Sequence, residues 1–143
     1  MGLSPAIGLV VNTAIVYDQC PTSPDYYKPQ PGGPDMEVLP LDVYDDPFPG
    51  QPHIQASDAK QYFELVNQKT KAALDLGKGV LIHCLASITP SAVYIIAYLM
   101  WSRKISAAEA TAILKVKWGA TWPNDSFTRQ LLAYAAELLA ADL

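Results

Sequence analysis

The 143-residue sequence predicts an α/β domain, a small sheet covered by helices. Three observations predict it. Short apolar runs with strand character fall early in the chain, and helical periodicities fall late. One strand-to-helix step joins the two, where Gly79-Val80-Leu81-Ile82 leads through His83 and Cys84 toward Ala92-Val93-Tyr94-Ile95-Ile96. Hydrophobic residues make up 50% and charged residues 17%, which suits one compact domain over residues 1–143.

Ile7-Gly8-Leu9-Val10-Val11-Asn12 reads as a buried strand. Residues 21–34 hold five prolines and Gly32-Gly33, so they form a long loop, a kind that is often functional. Val38-Leu39-Pro40-Leu41-Asp42-Val43 is a second strand, and its internal proline demotes it to an edge or a strand end. The turn-rich patch Asp45-Asp46-Pro47-Phe48-Pro49-Gly50 follows. Ser57 to Leu76 predicts a helix whose apolar face includes Tyr62, Phe63, Leu65, Val66, Ala72, Ala73 and Leu76, with Lys69 as a polar break. Ser57 caps its start, Asp58 suits its positive end, and Gly77 stops it.

Val80 to His83 is expected as the central strand. Ser91 to Arg103 is apolar nearly all round and predicts a buried helix. Ser106-Ala107-Ala108-Glu109 has the form of a capping box and opens a helix to about Trp118. Pro123-Asn124-Asp125 is a turn. Phe127 to Ala141 is a last amphipathic helix with Leu131, Leu132, Tyr134, Ala135, Leu138 and Leu139 as its apolar residues.

Composition excludes several function classes. A net charge of −4 gives no pull toward nucleic acid or acidic membranes. The longest apolar stretch, Ala92 to Trp101, is half of the ~20 residues a membrane span needs. No basic start of a cleavable signal is present. Cys20 and Cys84 stand in unlike contexts, which favours free thiols in a reducing compartment such as the cytoplasm. No Cys/His cluster has ligand spacing, so no metal and no cofactor are expected.

His83-Cys84-Leu85-Ala86-Ser87-Ile88-Thr89-Pro90-Ser91 carries the chemistry. A cysteine between a strand and a helix start can have its pKa lowered by helix N–H groups, which also cradle anions. The stretch resembles the active-site loop His-Cys-x-x-Gly-x-x-Arg-Ser/Thr of cysteine-based phosphatases. Other blocks extend the resemblance to the dual specificity phosphatases: Asn12-Thr13-Ala14, Leu39-Pro40-Leu41-Asp42-Val43-Tyr44-Asp45-Asp46-Pro47, the helix from Ser57, and Pro123-Asn124-Asp125-Ser126-Phe127 through Gln130-Leu131. They fall in family order over roughly residues 7–140. The strand-turn segment that usually precedes Asn12 is shortened or absent, so the chain is a candidate fragment.

The resemblance implies a role for each matching residue. Cys84 matches the nucleophile that attacks phosphorus, its alternative being a buried inert thiol. Ser91 matches the hydroxyl that assists thiolate departure, or it satisfies a backbone donor at the helix start. His83 orients the loop. Asp45 or Asp46 matches the general acid, although Asp-Asp-Pro is also a common turn sequence.

Ser87 stands where the family has Gly, and Pro90 stands where it has the phosphate-binding Arg. Proline has neither the charge nor the N–H, and losing an arginine clamp costs about 10³–10⁵-fold in rate. Yet proline is at home in the first turn of a helix, so the junction survives the loss. Ser87, Thr89 and Pro90, with His83, then form a degenerate phosphate loop. Tyr26 and Tyr27, in the Pro/Gly loop, are candidate partner contacts.

Two classes of function follow. One is a non-catalytic domain of this fold that binds protein partners within a larger assembly. The other is an active protein phosphatase with an atypical loop.

Overall fold

The computed structural model describes residues 6–13, 36–43, 58–83, 91–117 and 125–141. They form three strands, β1 (Ile7–Asn12), β2 (Glu37–Pro40) and β3 (Gly79–His83). Four helices accompany them, α1 (Phe63–Asp75), α2 (Ser91–Arg103), α3 (Ala107–Lys117) and α4 (Asp125–Ala141), and a 3-10 turn at Lys60–Tyr62 leads into α1. The strands pair in parallel in the order β2-β1-β3.

Among the described residues β1, not β3, is therefore the central strand. Its composition explains the placing: Leu9, Val10 and Val11 are buried on both faces, as a parallel strand between two neighbours requires. Leu81 of β3 is 43% exposed and so cannot hold that position. Pro40 ends β2, the edge strand, where a missing N–H costs no ladder bond. The β1–β3 register slips between Ile7 and Leu9, and Gly8 sits at the slip. A Cβ on Gly8 would lie 2.8 Å from the Lys78 Cβ, so the close approach needs glycine.

Leu9 and Val11 present one face of the sheet to the helices, joined by Leu39, Val80 and Ile82. Helix α2 lies at the centre of the helical layer and touches α1, α3, α4 and β3. It buries Ala92, Val93, Tyr94, Ile96, Ala97 and Met100, as its all-round apolar sequence predicts. Phe63 packs edge-on against Tyr94 and Tyr134, with centroids 5.6 and 5.0 Å apart.

Helix α1 starts later than its sequence predicts. Its first turn is 3-10, and Asp58 does the capping: the Gln61 N–H donates to Asp58 Oδ1 at 3.3 Å. Ser57 lies outside the described residues. The buried face also differs. It is Phe63, Val66, Asn67, Thr70 and Ala73, while Leu65 and Leu76 point to solvent. Asn67 is tolerated inside because its Nδ2 donates to the Tyr134 hydroxyl at 2.9 Å. That hydroxyl donates in turn to Glu64 Oε1 at 2.7 Å.

Gly77 ends α1 at φ 75°, with the Lys78 N–H donating to the Ala73 carbonyl and the Gly77 N–H to that of Leu74. The capping box forms: the Glu109 N–H donates to Ser106 Oγ at 3.0 Å, and the Ser106 N–H donates to Glu109 Oε1 at 3.4 Å. Helix α4 starts at Asp125, two residues before the expected Phe127, because Asp125 supplies an acid for the positive first turn. Of its predicted apolar residues, Leu131 and Tyr134 are buried, whereas Leu132 and Leu139 are exposed. No helix among the described residues is long and apolar enough to cross a membrane.

Candidate functional site

The carboxyl ends of parallel strands are where α/β folds place ligands. Here that edge is made by Asn12 at the end of β1 and Thr13 after it, Leu41, Asp42 and Val43 after β2, and His83 at the end of β3. Asn12 and Thr13 are fully buried although polar. The Thr13 N–H donates to the His83 carbonyl at 2.9 Å, and the Thr13 hydroxyl donates to the same oxygen at 2.7 Å. The Leu41 N–H donates to the Asn12 carbonyl at 2.9 Å. The three strand ends are thus tied laterally as well as by the ladder.

His83 is partly buried, and desolvation holds its imidazole below the ordinary histidine range, which favours the neutral ring. Ser91, 1% exposed, opens α2. The 13-residue length of α2 gives it a full macrodipole, and no acidic side chain occupies its first turn to neutralise the positive end. The Tyr94 hydroxyl, one turn in, donates to the Ala59 carbonyl at 3.0 Å. Burial first, then the Tyr62 phenol and the carboxylates of Asp58 and Asp42, push that phenol far up from its usual value, so it remains a donor.

Asp42 accepts a hydrogen bond from the Tyr62 hydroxyl, and that bond is the main reason the phenol is held above its ordinary range. The sequence placed Tyr62 on the core face of a helix and left Asp42 without a role. The signal was available, since Asp42 lies inside the block Leu39–Pro47 that matched the family. The lateral clamp by Thr13 had its signal too, in Asn12-Thr13-Ala14.

Of the residues singled out from sequence, the structure places His83 at the end of β3 and Ser91 at the start of α2. Cys84, Ser87, Thr89 and Pro90 lie between these two anchors in the chain and outside the described residues. Asp45, Asp46, Tyr26 and Tyr27 also lie outside them.

Comparison with known proteins gives the frame an ancestry. A family model described as "Dual specificity phosphatase, catalytic domain" matches residues 9–137. Human dual specificity protein phosphatase 2 is 43% identical over 63 residues, which cover 44% of this chain and 20% of that protein. Human dual specificity protein phosphatase 4 is 33% identical over 84 residues, 59% of this chain and 21% of that one. The chain spans between 10% and 56% of the length of the first curated relatives it matches.

Among solved structures, human DUSP28 superposes with a TM-score of 0.73 at 27% identity, covering 96% of this chain and 82% of that chain. The human tyrosine phosphatase-like serine/threonine/tyrosine-interacting protein superposes at 0.72 with 24% identity, over 94% and 80%, and speaks to the fold alone. With a match that runs from β1 into the last helix, the chain belongs to the dual specificity phosphatase family.

Proposed function

We propose that this chain is a catalytically impaired dual specificity phosphatase-like domain that acts by binding other proteins, as a scaffold or structural component of an assembly. Pro90 carries the proposal. An arginine at that position would hold two phosphate oxygens at once and stabilise charge in the transition state. Proline offers neither a cation nor an N–H. On the arginine-clamp scale, activity falls by about 10³–10⁵-fold. Ser87 adds a Cβ where the family backbone has glycine.

On this reading Cys84 is the former nucleophile, Ser91 the former assisting hydroxyl, and Asp45 or Asp46 the former general acid. His83, Ser87, Thr89 and Pro90 belong to a phosphate loop that no longer holds phosphate. Tyr26 and Tyr27 contact the partner. No cofactor takes part, and a reducing compartment such as the cytoplasm suits the two thiols.

The test is hydrolysis of p-nitrophenyl phosphate and of phosphotyrosine and phosphothreonine peptides by the purified chain. The expected result is turnover no faster than that of Cys84→Ser. Appearance of activity in the double substitution Ser87→Gly, Pro90→Arg would mark the site as decayed. Robust wild-type turnover abolished by Cys84→Ser overturns the proposal.

A second reading, an active phosphatase with an atypical loop, is favoured by the retention of Cys84 in the sequence and of Ser91 at a helix start free of acids. It predicts alkylation of Cys84 by iodoacetamide with a pKa well below the usual thiol range. An ordinary thiol profile counts against it.

A further inference from the structure

The short link between α2 and α3 carries a hydroxyl that the strand-end site does not use. Helix α2 ends at Arg103 and α3 begins at Ala107. Lys104 takes a φ of 55°, so the backbone leaves its helical course there and turns through Ile105 to Ser106. Ser106 is exposed, as are Arg103 and Lys104 before it. The link reads Arg103-Lys104-Ile105-Ser106, two adjacent cations, one apolar residue and a hydroxyl.

This order of charge and hydroxyl occurs once in the chain. There are two arginines, Arg103 and Arg129, and only Arg103 is followed three residues later by a serine or threonine. Among the described residues Arg103 enters no ion pair. Lys104 has a partner within the protein, so Arg103 is the main cation that a visiting molecule meets.

An exposed guanidinium three residues before an exposed hydroxyl suits an enzyme cleft that holds the guanidinium with carboxylates and presents the hydroxyl to a phosphoryl donor. An acid-directed enzyme would read Glu109 instead, three residues after Ser106. The fold works against that. Glu109 sits in the first turn of α3, and its carboxylate turns back to accept the Ser106 N–H at 3.4 Å. The determinant after Ser106 is thus held in a helix, while the chain before Ser106 leaves its helix at Lys104.

We infer that Ser106 is a phosphorylation site for a protein kinase directed by basic residues. The step moves the γ-phosphoryl group of ATP. A bond forms between Ser106 Oγ and the γ-phosphorus, the bond from that phosphorus to the bridging oxygen breaks, ADP leaves, and the hydroxyl proton passes to a base of the kinase. The product is accommodated where it is made. Ser106 Oγ accepts the Glu109 N–H at 3.0 Å, and a phosphate oxygen takes over that N–H at the positive start of α3. The Glu109 carboxylate swings away from the new dianion, which opens one half of the capping box. Ser106 also lines a hollow of about 380 Å³ with Trp101, Ile105, Leu138 and Leu139. Phosphorylation therefore sets about two negative charges beside an apolar hollow.

The test incubates the full chain with magnesium, ATP and the catalytic subunit of cyclic-AMP-dependent protein kinase, and locates phosphate by tandem mass spectrometry. Casein kinase 2, an acid-directed enzyme, is run in parallel. Both are applied to the wild type, Cys84→Ser, Arg103→Gln and Ser106→Asn. The last removes the hydroxyl but keeps a side chain that caps α3, so loss of label there is not loss of the fold. The expected result is phosphate at Ser106 of the native chain, none at that position in Ser106→Asn, and labelling slower by about tenfold or more in Arg103→Gln.

Faster labelling of Ser106 by casein kinase 2, an unchanged rate in Arg103→Gln, or no phosphate at Ser106 in either the wild type or Cys84→Ser overturns the proposal. Phosphate that persists in Cys84→Ser but is lost from the wild type supports the site. That outcome overturns the impaired-enzyme reading instead, because the chain then removes its own phosphate through Cys84.

Discussion

The phenol of Tyr94 reaches across 35 residues of sequence to donate to the backbone carbonyl of Ala59. It fastens the helix that follows the cysteine loop to the segment that leads into α1. Ala59 is itself fully buried, and its carbonyl also accepts the Tyr62 N–H at 3.1 Å. In Tyr94→Phe the carbonyl therefore keeps one partner and the ring keeps its packing on Phe63. The expected loss is about 0.5–1.5 kcal/mol, read as a lower urea midpoint with an unchanged slope. A loss beyond ~3 kcal/mol would mean that the bond organises more than these two segments.

Tyr134 and Asn67 form a buried pair whose members need each other. Removing the hydroxyl in Tyr134→Phe strands the Asn67 donor inside the core. The expected cost is about 1–3 kcal/mol, the penalty of an unsatisfied buried polar group. Asn67→Leu combined with Tyr134→Phe should cost less than the sum of the two single changes. Strict additivity in a double-mutant cycle by chemical denaturation would show that the pair is not coupled.

His83 gives the stability a pH dependence with a definite sign. Burial lowers its folded pKa below the ordinary value of 6.5, so between the two values the unfolded chain binds the proton more readily. The contribution is complete above pH 6.5 and is lost as the pH falls through the folded value. Denaturation midpoints at pH 7.5 and pH 5 should therefore drop more in the wild type than in His83→Gln. Equal drops would show that carboxylates alone set the acid sensitivity.

Gly8 is predicted to be intolerant of any side chain. A Cβ there would stand 2.6 Å from Lys78 Cδ and 2.8 Å from Lys78 Cβ. Gly8→Ala should destabilise by about 1–3 kcal/mol through overpacking. Lys78→Ala removes the Cδ contact but retains the Cβ, so it should recover only part of the loss. Full recovery in the thermal midpoint would place the strain in the lysine stem alone.

The fold was legible where pattern and packing agree. Strand β1, the apolar α2, the Ser106–Glu109 box and the Gly77 stop all follow from local chemistry, and each is present. The face of α1 was not legible. Leu65 and Leu76 look like core residues, yet Asn67 and Thr70 are inside, because a hydrogen bond to Tyr134, 67 residues later, makes room for an amide. The order of the strands was also hidden, since the strand beside the cysteine reads as apolar whether it is central or not.

Of the candidate site, the two flanks were legible, His83 from the strand and Ser91 from the helix. The Asp42–Tyr62 contact was not, because 20 residues of intervening chain separate a spare acid from an apparent core tyrosine.

The double grip of Thr13 on the His83 carbonyl has a consequence for how this protein can change. It secures the last residue of β3 from the side, through β1. On the far side Ser91 is secured by the burial of its own helix. Residues 84–90 run in sequence between these two posts. A loop transplanted between them from another family member is expected to leave the frame standing, read as an unshifted denaturation midpoint.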